Sequence, residues 1–296
     1  GTWSGVTVVP SAPTTVVLQR SATAKSAPIT VFPVSAPTAV APAKGYAERS
    51  FTVAGNAGAP VSVQLWTQPA GTSSYSLVKT VTAASSGAYS VTGALPAATS
   101  VSSTAWKVVS TAGSTTFGSA TGSISVQPLF APTSTGTSIG YYRGVVTVTG
   151  TAVPGDAVTL WTKPATSGSW TRVSSVTADA ATGAYSRAFT LVRDTVWRVT
   201  SPTGTSAART TVVRPSLHVP SRAKPRTVVY ISGTALPGQK VAIYRRSLGT
   251  AKWNYFTTVT AASTGRWTSH FRFTHAVNVL AGSRGHYSPG ATIRVA

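Results

Sequence analysis

Three stretches of this chain align with one another without a gap. Phe51 to Thr67 reads FTVAGNAGAPVSVQLWT, Val146 to Thr162 reads VTVTGTAVPGDAVTLWT, and Val229 to Arg245 reads VYISGTALPGQKVAIYR. The register continues past them: Trp66, Trp161 and Tyr244 are each followed nine residues on by an aromatic, namely Tyr75, Trp170 and Trp253. Then come Val81-Thr82-Ala83, Val176-Thr177-Ala178 and Val259-Thr260-Ala261, each leading into a turn and a new strand in SSGAYS, TGAYS and TGRWT. Agreement at so many fixed offsets means one folding unit used three times, so a fold must satisfy all three copies at once.

That unit reads as β structure. In the second copy Val146 and Val148 alternate with Thr147 and Thr149, an Ala-Val-Pro-Gly turn follows, and Val158 and Leu160 again point inward. Turn signals recur roughly every ten residues, as in a β-sandwich, and no segment carries helical periodicity. The apolar set is mostly Val and Ala and the polar set mostly Ser and Thr, and β-branched side chains suit a pleated surface. The expected fold class is all-β: three tandem immunoglobulin-like β-sandwich modules at 46–130, 131–216 and 217–296, behind an extended Pro/Ala-rich arm at 1–45.

Pro10, Pro13, Pro28, Pro33, Pro37 and Pro42 stiffen the arm toward a polyproline-like spacer. Two Val-rich bursts interrupt it, and Val16 to Ser21 loosely matches Val241 to Ser247. The arm therefore reads as the remnant of a fourth module or as a strand donor to a neighbouring subunit. Val16, Val17, Leu18, Ile29 and Val31 are its candidate subunit-contact residues.

Composition excludes several chemistries. There is no Cys, hence no disulfide and no thiolate metal site. Only Glu48, Asp156, Asp179 and Asp194 are acidic, whereas glycoside hydrolysis needs two carboxylates flanking one bond and calcium needs a cluster of oxygen ligands. Gln239 stands where Asp156 does in the third copy, which marks Asp156 as a turn residue; Asp179 follows Val-Thr-Ala into a turn, and Asp194 is expected in a surface ion pair. His218, His270, His275 and His286 show no metal-ligand spacing, and GxSxG, P-loop and dinucleotide motifs are missing. The chain is read as non-enzymatic, with no catalytic residue, cofactor or metal. No apolar run is long enough to span a bilayer and no initiator Met is present, so a processed form or a fragment is expected.

Charge points to partners. The chain carries 25 Lys and Arg against 4 Asp and Glu, a net +21, and the third copy holds eleven of the bases and none of the acids. A surface so one-sided repels itself unless it meets a polyanion. Alternation sets Arg266, His270 and Arg272 on one strand face and Trp267, Phe271 and Phe273 on the other. Together with Arg222, Lys224, Arg226, Arg245 and Arg246, those three form the candidate polyanion-binding set. Nucleic acid is a weaker expectation, since no nucleic-acid-binding motif is recognisable. The paired aromatics are expected to face each other across a hairpin as a stabilising pair, and sugar stacking would require exposed rings.

SGTALPGQKVAIYRR, then an aromatic, then VTAASTGRWT resembles the immunoglobulin-like or fibronectin-like repeats in the C-terminal parts of secreted actinobacterial proteins, including wall-associated hydrolases and surface proteins. The resemblance covers roughly 46 to 296 and implies an extracellular location, at the cell surface or cell wall, rather than an activity. The third copy departs late: Asn278-Val279-Leu280 stands where the others have Trp106-Lys107 and Trp197-Arg198, which leaves open whether its last strands pair as in its sisters. The first expectation for function is a structural cell-surface protein that self-assembles as a homo-oligomer into a surface layer or filament. The alternative is a non-catalytic polymer-binding region of a secreted wall hydrolase, and a phage-tail decoration protein is a third, weaker option.

Overall fold

The computed structural model describes residues 14–16, 29–31, 36–166 and 168–295. All regular structure among them is β. Two compact units meet between Leu129 and Phe130. In the arm, β1 (Thr14–Val16) pairs antiparallel with β2 (Ile29–Val31), Val16 opposite Ile29 and Thr14 opposite Val31. Val17, Leu18, Pro10, Pro13, Pro28 and Pro33 lie outside the described residues.

The first module runs β3 (Thr38–Val40), β4 (Lys44–Tyr46), β5 (Ser50–Asn56), β6 (Ser62–Pro69), β7 (Ser76–Thr82), β8 (Ala88–Ala94), β9 (Ser102–Ala112) and β10 (Thr115–Gln127). One sheet has the order β3-β5-β8 and the other β4-β10-β9-β6-β7. Residues 38–46 thus cross from one sheet to the other: β3 pairs with β5, then β4 runs parallel to β10. Most of that stretch lies within the 1–45 arm by sequence; in the fold it is the sandwich's own first strand, with Ala39 and Ala41 packed on the core.

The second module contains β11 (Ile139–Tyr141), β12 (Val145–Thr151), β13 (Ala157–Pro164), β14 (Thr171–Thr177), β15 (Ala184–Thr190), β16 (Thr195–Ser201), β17 (Gly204–Thr205) and β18 (Arg209–Arg214). The third repeats it with β19 (Arg222–Ala223), β20 (Val228–Thr234), β21 (Lys240–Ser247), β22 (Asn254–Thr260), β23 (Arg266–Arg272), β24 (Val277–Ser283), β25 (His286–Tyr287) and β26 (Ala291–Val295). The two sheet orders match element for element, β12-β15 with β20-β23 and β11-β18-β16-β13-β14 with β19-β26-β24-β21-β22. The question left open by Asn278-Val279-Leu280 is thereby answered, for the last strands of the third module pair as in the second: Tyr244 faces Leu280 as Trp161 faces Arg198.

The departure is absorbed by volume. Trp106 and Trp197 are buried from β9 and β16, while β24 has Val279 there; the third module instead buries Trp267 from β23, where its sisters bury Tyr89 and Tyr185. A second exchange crosses β5 and β8. Phe51 faces Gly93 in the first module, Val146 faces Phe189 in the second and Val229 faces Phe271 in the third, so one phenyl ring fills that layer from either strand. Cores tolerate such swaps when total volume is kept.

Tyr89 and Tyr185 also anchor the entering strand, their hydroxyls donating to the carbonyls of Thr38 (2.5 Å) and Thr133. Burial pushes both phenols up from about 10 to about 12. A raised phenol keeps its proton in the fold while the unfolded chain gives it up, so stability is intact below pH 10 and declines between pH 10 and 12. A chain carrying Tyr89→Phe and Tyr185→Phe should therefore show a shallower fall of melting temperature over that interval. Parallel slopes in both chains would refute the linkage.

Within the second unit, Asp194 joins two modules. Its carboxylate accepts the Val213 amide at 2.8 Å and pairs with Arg284 of the β24–β25 turn at 2.6 Å, its side chain only 11% exposed. Leu236 packs on the second module's core, and Tyr142 lies against Gly265.

Candidate anion-binding cleft

The third module has a cleft of about 650 Å³ at one end of its sandwich. Four residues of the sequence-derived basic set line it: Arg226, Arg245, Arg246 and Arg272. Each is placed by ordinary strand geometry. Arg245 and Arg246 are near the end of β21, and Arg272 ends β23 opposite Val228. Arg226 occupies a left-handed turn (φ 60°), its amide donating to the Phe273 carbonyl at 2.8 Å. Glu48 and Arg143 hold the same turn in the sister modules with φ 59° and 61°. That turn belongs to the scaffold, and the second module also carries an arginine there, Arg143, which lies over Tyr142 at 5.4 Å.

Aromatic rings hold two of the guanidinium groups. Arg245 lies over Phe256 at 4.7 Å and Arg246 over Trp253 at 4.6 Å, contacts that retain the charge while covering the carbon stem. His275 is fixed by the Ser247 hydroxyl at 2.8 Å on one ring nitrogen and by the Thr274 hydroxyl at 3.1 Å on the other. Asn254 and Tyr255 complete the polar lining, which includes no carboxylate. His275, Asn254 and Tyr255 were not in the basic set, because only the β21–β22 and β21–β24 pairings bring them to it.

The remaining basic residues lie elsewhere. Arg222 pairs with Arg294 along β19–β26, and the Lys224 carbonyl accepts the Thr227 hydroxyl in the turn that follows. Arg266 and His270 share the exposed face of β23 with Arg272, as alternation predicts, and His270 tilts against Tyr230 at 5.7 Å. Neither Arg266 nor His270 lines the cleft.

The same groove exists in the second module, about 590 Å³ in volume. There the position of Arg245 is Thr162, that of Arg246 is Lys163, that of Arg272 is Thr190 and that of His275 is Arg193. Groove shape is thus a property of the sandwich, and the concentration of guanidinium groups is a property of the third module.

The paired aromatics do not face each other squarely. The hairpins close at Thr67–Ser76, Thr162–Thr171 and Arg245–Asn254, so Trp66 lies opposite Leu77, Trp161 opposite Arg172 and Tyr244 opposite Tyr255, two residues from the expected partner in each case. A cation joins the first pair: Lys107 lies over Tyr75 at 4.8 Å and over Trp66 at 5.7 Å. In the second module Arg198 and Lys163 both cover Trp170, at 4.3 and 5.1 Å. All six rings are half-buried.

Asp179 accepts the Ala181 and Thr182 amides and the Thr182 hydroxyl, bonds that hold its carboxyl below the usual range, as expected of a turn residue. Asp156 is buried in the turn before β13, with the Thr203 hydroxyl 3.5 Å away. Among the described residues no three His, Cys, Asp or Glu converge as a metal site, and no helix is long and apolar enough to cross a membrane.

No protein-family model and no curated protein matches the chain. Among solved structures it is similar to the FN1–FN3 domains of chicken CNTN1, at 12% identity over 88% of this chain and 97% of that one, with a TM-score of 0.26. A tetra-tandem repeat from the extending region of a large adhesion protein gives 14% identity, 90% and 74% coverage and a TM-score of 0.29. Trypsin-activated alpha-2-macroglobulin from Escherichia coli gives 10% identity, 88% and 23% coverage and a TM-score of 0.25. Scores this low carry no argument, and the immunoglobulin-like assignment stands on the strand order above.

Proposed function

We propose that this chain is a non-catalytic structural protein of the extracellular space, at the cell surface or cell wall, whose third module docks onto an anionic cell-wall polymer or glycan. The partition at 131 and 217 belongs to the same proposal. The observation that carries it is the cleft of Arg226, Arg245, Arg246 and Arg272, with no carboxylate in its lining and less basic counterparts in the sister groove. Asp156 and Asp179 serve turns and Asp194 serves an ion pair, which supports a role without catalysis. Binding to immobilised linear polyphosphate and to polygalacturonate is expected, and it should weaken about tenfold or more between about 50 and 500 mM salt, because exposed charges are screened within a Debye length. Binding to neither polymer, or binding indifferent to salt, would sink the proposal.

A second reading is self-assembly into a surface layer or filament. It draws on β7, β14 and β22, which end their sheets with an outer edge unpaired among the described residues, and on the β1–β2 pair of the arm. Negative-stain microscopy should then show ordered particles that are lost when residues 1–35 are deleted. Monodisperse monomers in both samples would leave polymer docking alone.

A further inference from the structure

We propose that the third module takes an acidic glycan, a polymer of sugar rings bearing carboxylates, along a track in which three tyrosines continue the arginine cleft. This deepens the docking role proposed above and rests on it. Tyr255 lines the cleft. Its ring meets Tyr244 edge-on at 6.1 Å and 76°, and Tyr244 in turn meets Tyr287 at 6.0 Å and 66°. Tyr244 and Tyr287 line a second recess of about 200 Å³ on the same sheet, with Lys240 and Gly282 beside them. The two hollows are therefore joined by rings, with arginines at one end and Lys240 at the other; Arg284, also at the far end, is already paired to Asp194.

Two of the three rings are open to solvent where a structural ring would be covered. Tyr255 is 61% and Tyr287 51% exposed. Tyr255 is steadied by a 3.0 Å hydrogen bond between its hydroxyl and that of Thr258, and Gly282 leaves room for Tyr287, since a Cβ there would come within 2.6 Å of the ring. A ring needed only for folding would recur in the sister modules, which share the strand pairing. Tyr244 does, as Trp66 and Trp161, but the two exposed rings do not: Tyr255 is replaced by Leu77 and Arg172, and Tyr287 by Thr205 in the second module. The exposed tyrosines and the arginines thus occur together in one copy out of three.

The chemistry separates ligand classes. A polyphosphate chain has charge but no ring to place on tyrosine. A neutral glycan has rings but nothing for the arginines. Single-stranded nucleic acid has both, but rings set edge-to-face at 76° and 66° offer no run of parallel faces on which successive bases could stack. The non-planar face of a sugar needs only one ring, with polar groups at its rim.

The test compares the full chain with a Tyr287→Ala variant, a solvent-facing position outside the arginine cleft, on polygalacturonate, linear polyphosphate and oligothymidylate at one salt concentration. The expected result is a loss of about tenfold on polygalacturonate with polyphosphate unchanged within about twofold. Equal affinities of both chains for polygalacturonate would overturn the tyrosine track while leaving the docking role intact. Failure of the unaltered chain to bind either polyanion would overturn both. A larger loss on oligothymidylate than on polygalacturonate would overturn the glycan in favour of nucleic acid.

Discussion

Exchanging Arg245 and Arg272 together for glutamate is expected to weaken binding to linear polyphosphate at low salt by about 30-fold or more, equivalent to about 2 kcal/mol. Both side chains line the cleft, and reversal replaces two attractions with two repulsions beside Arg226 and Arg246, which remain. The matching control is Lys79→Glu with Arg209→Glu. Those residues are exposed on β7 and β18, so net charge changes equally while the cleft is untouched. Less than about a threefold loss is expected there, since neither residue lines the cleft. Salt titration supplies a second readout: the cleft variant should show a flatter dependence on ionic strength. If both pairs weaken binding equally, attraction follows the overall +21 and no site exists.

The sandwich itself was readable in the sequence because period-two alternation is a backbone property. Val146, Val148, Val158 and Leu160 are all buried, as their spacing requires, and so are their counterparts in the third copy, Val229, Ile231, Val241 and Ile243. What escaped was anything decided by pairing between distant strands. The entering strand at 38–46 looks like more of the Pro/Ala arm, since short strands flanked by proline carry little pattern of their own. Loop length sets the aromatic pairs opposite each other, whereas the ladder closes at Thr67–Ser76 and leaves them two residues out of step. Four of the eight basic candidates share the cleft because β21 and β23 end at the same pole of the module; Arg266 and His270 lie farther back along β23 on its outer face. Neither the Tyr244–Tyr255 nor the Tyr244–Tyr287 contact has a local signal, since each depends on a ladder register.

One repeated residue gains its meaning only in three dimensions, and its substitution should have the larger effect on stability. Gly55, Gly150 and Gly233 occupy one position in the three copies, each facing the buried aromatic of the opposite strand: Tyr89, Tyr185 and Trp267. A Cβ at Gly150 would lie 2.1 Å from the Thr133 carbonyl oxygen and 2.6 Å from the Tyr185 hydroxyl. At Gly55 the corresponding approach to Thr38 is 1.8 Å, and at Gly233 that to Ser216 is 2.0 Å. Backbone cannot yield as a flexible side chain can, so Gly150→Ala must displace the entering strand and break the Tyr185 bond to Thr133. Overpacking and the loss of that bond together should cost about 2–4 kcal/mol. For a module of this size that lowers the melting temperature by roughly 10–25 °C. Gly168→Ala in the same module is the control, because nothing lies within 4 Å of its Cβ, and a change within about 0.5 kcal/mol is expected. Urea unfolding of both variants decides the matter: equal midpoints would mean that the entering strand does not close on β12 as described, whereas loss confined to Gly150→Ala would make this glycine the reason the repeat keeps an aromatic on the facing strand.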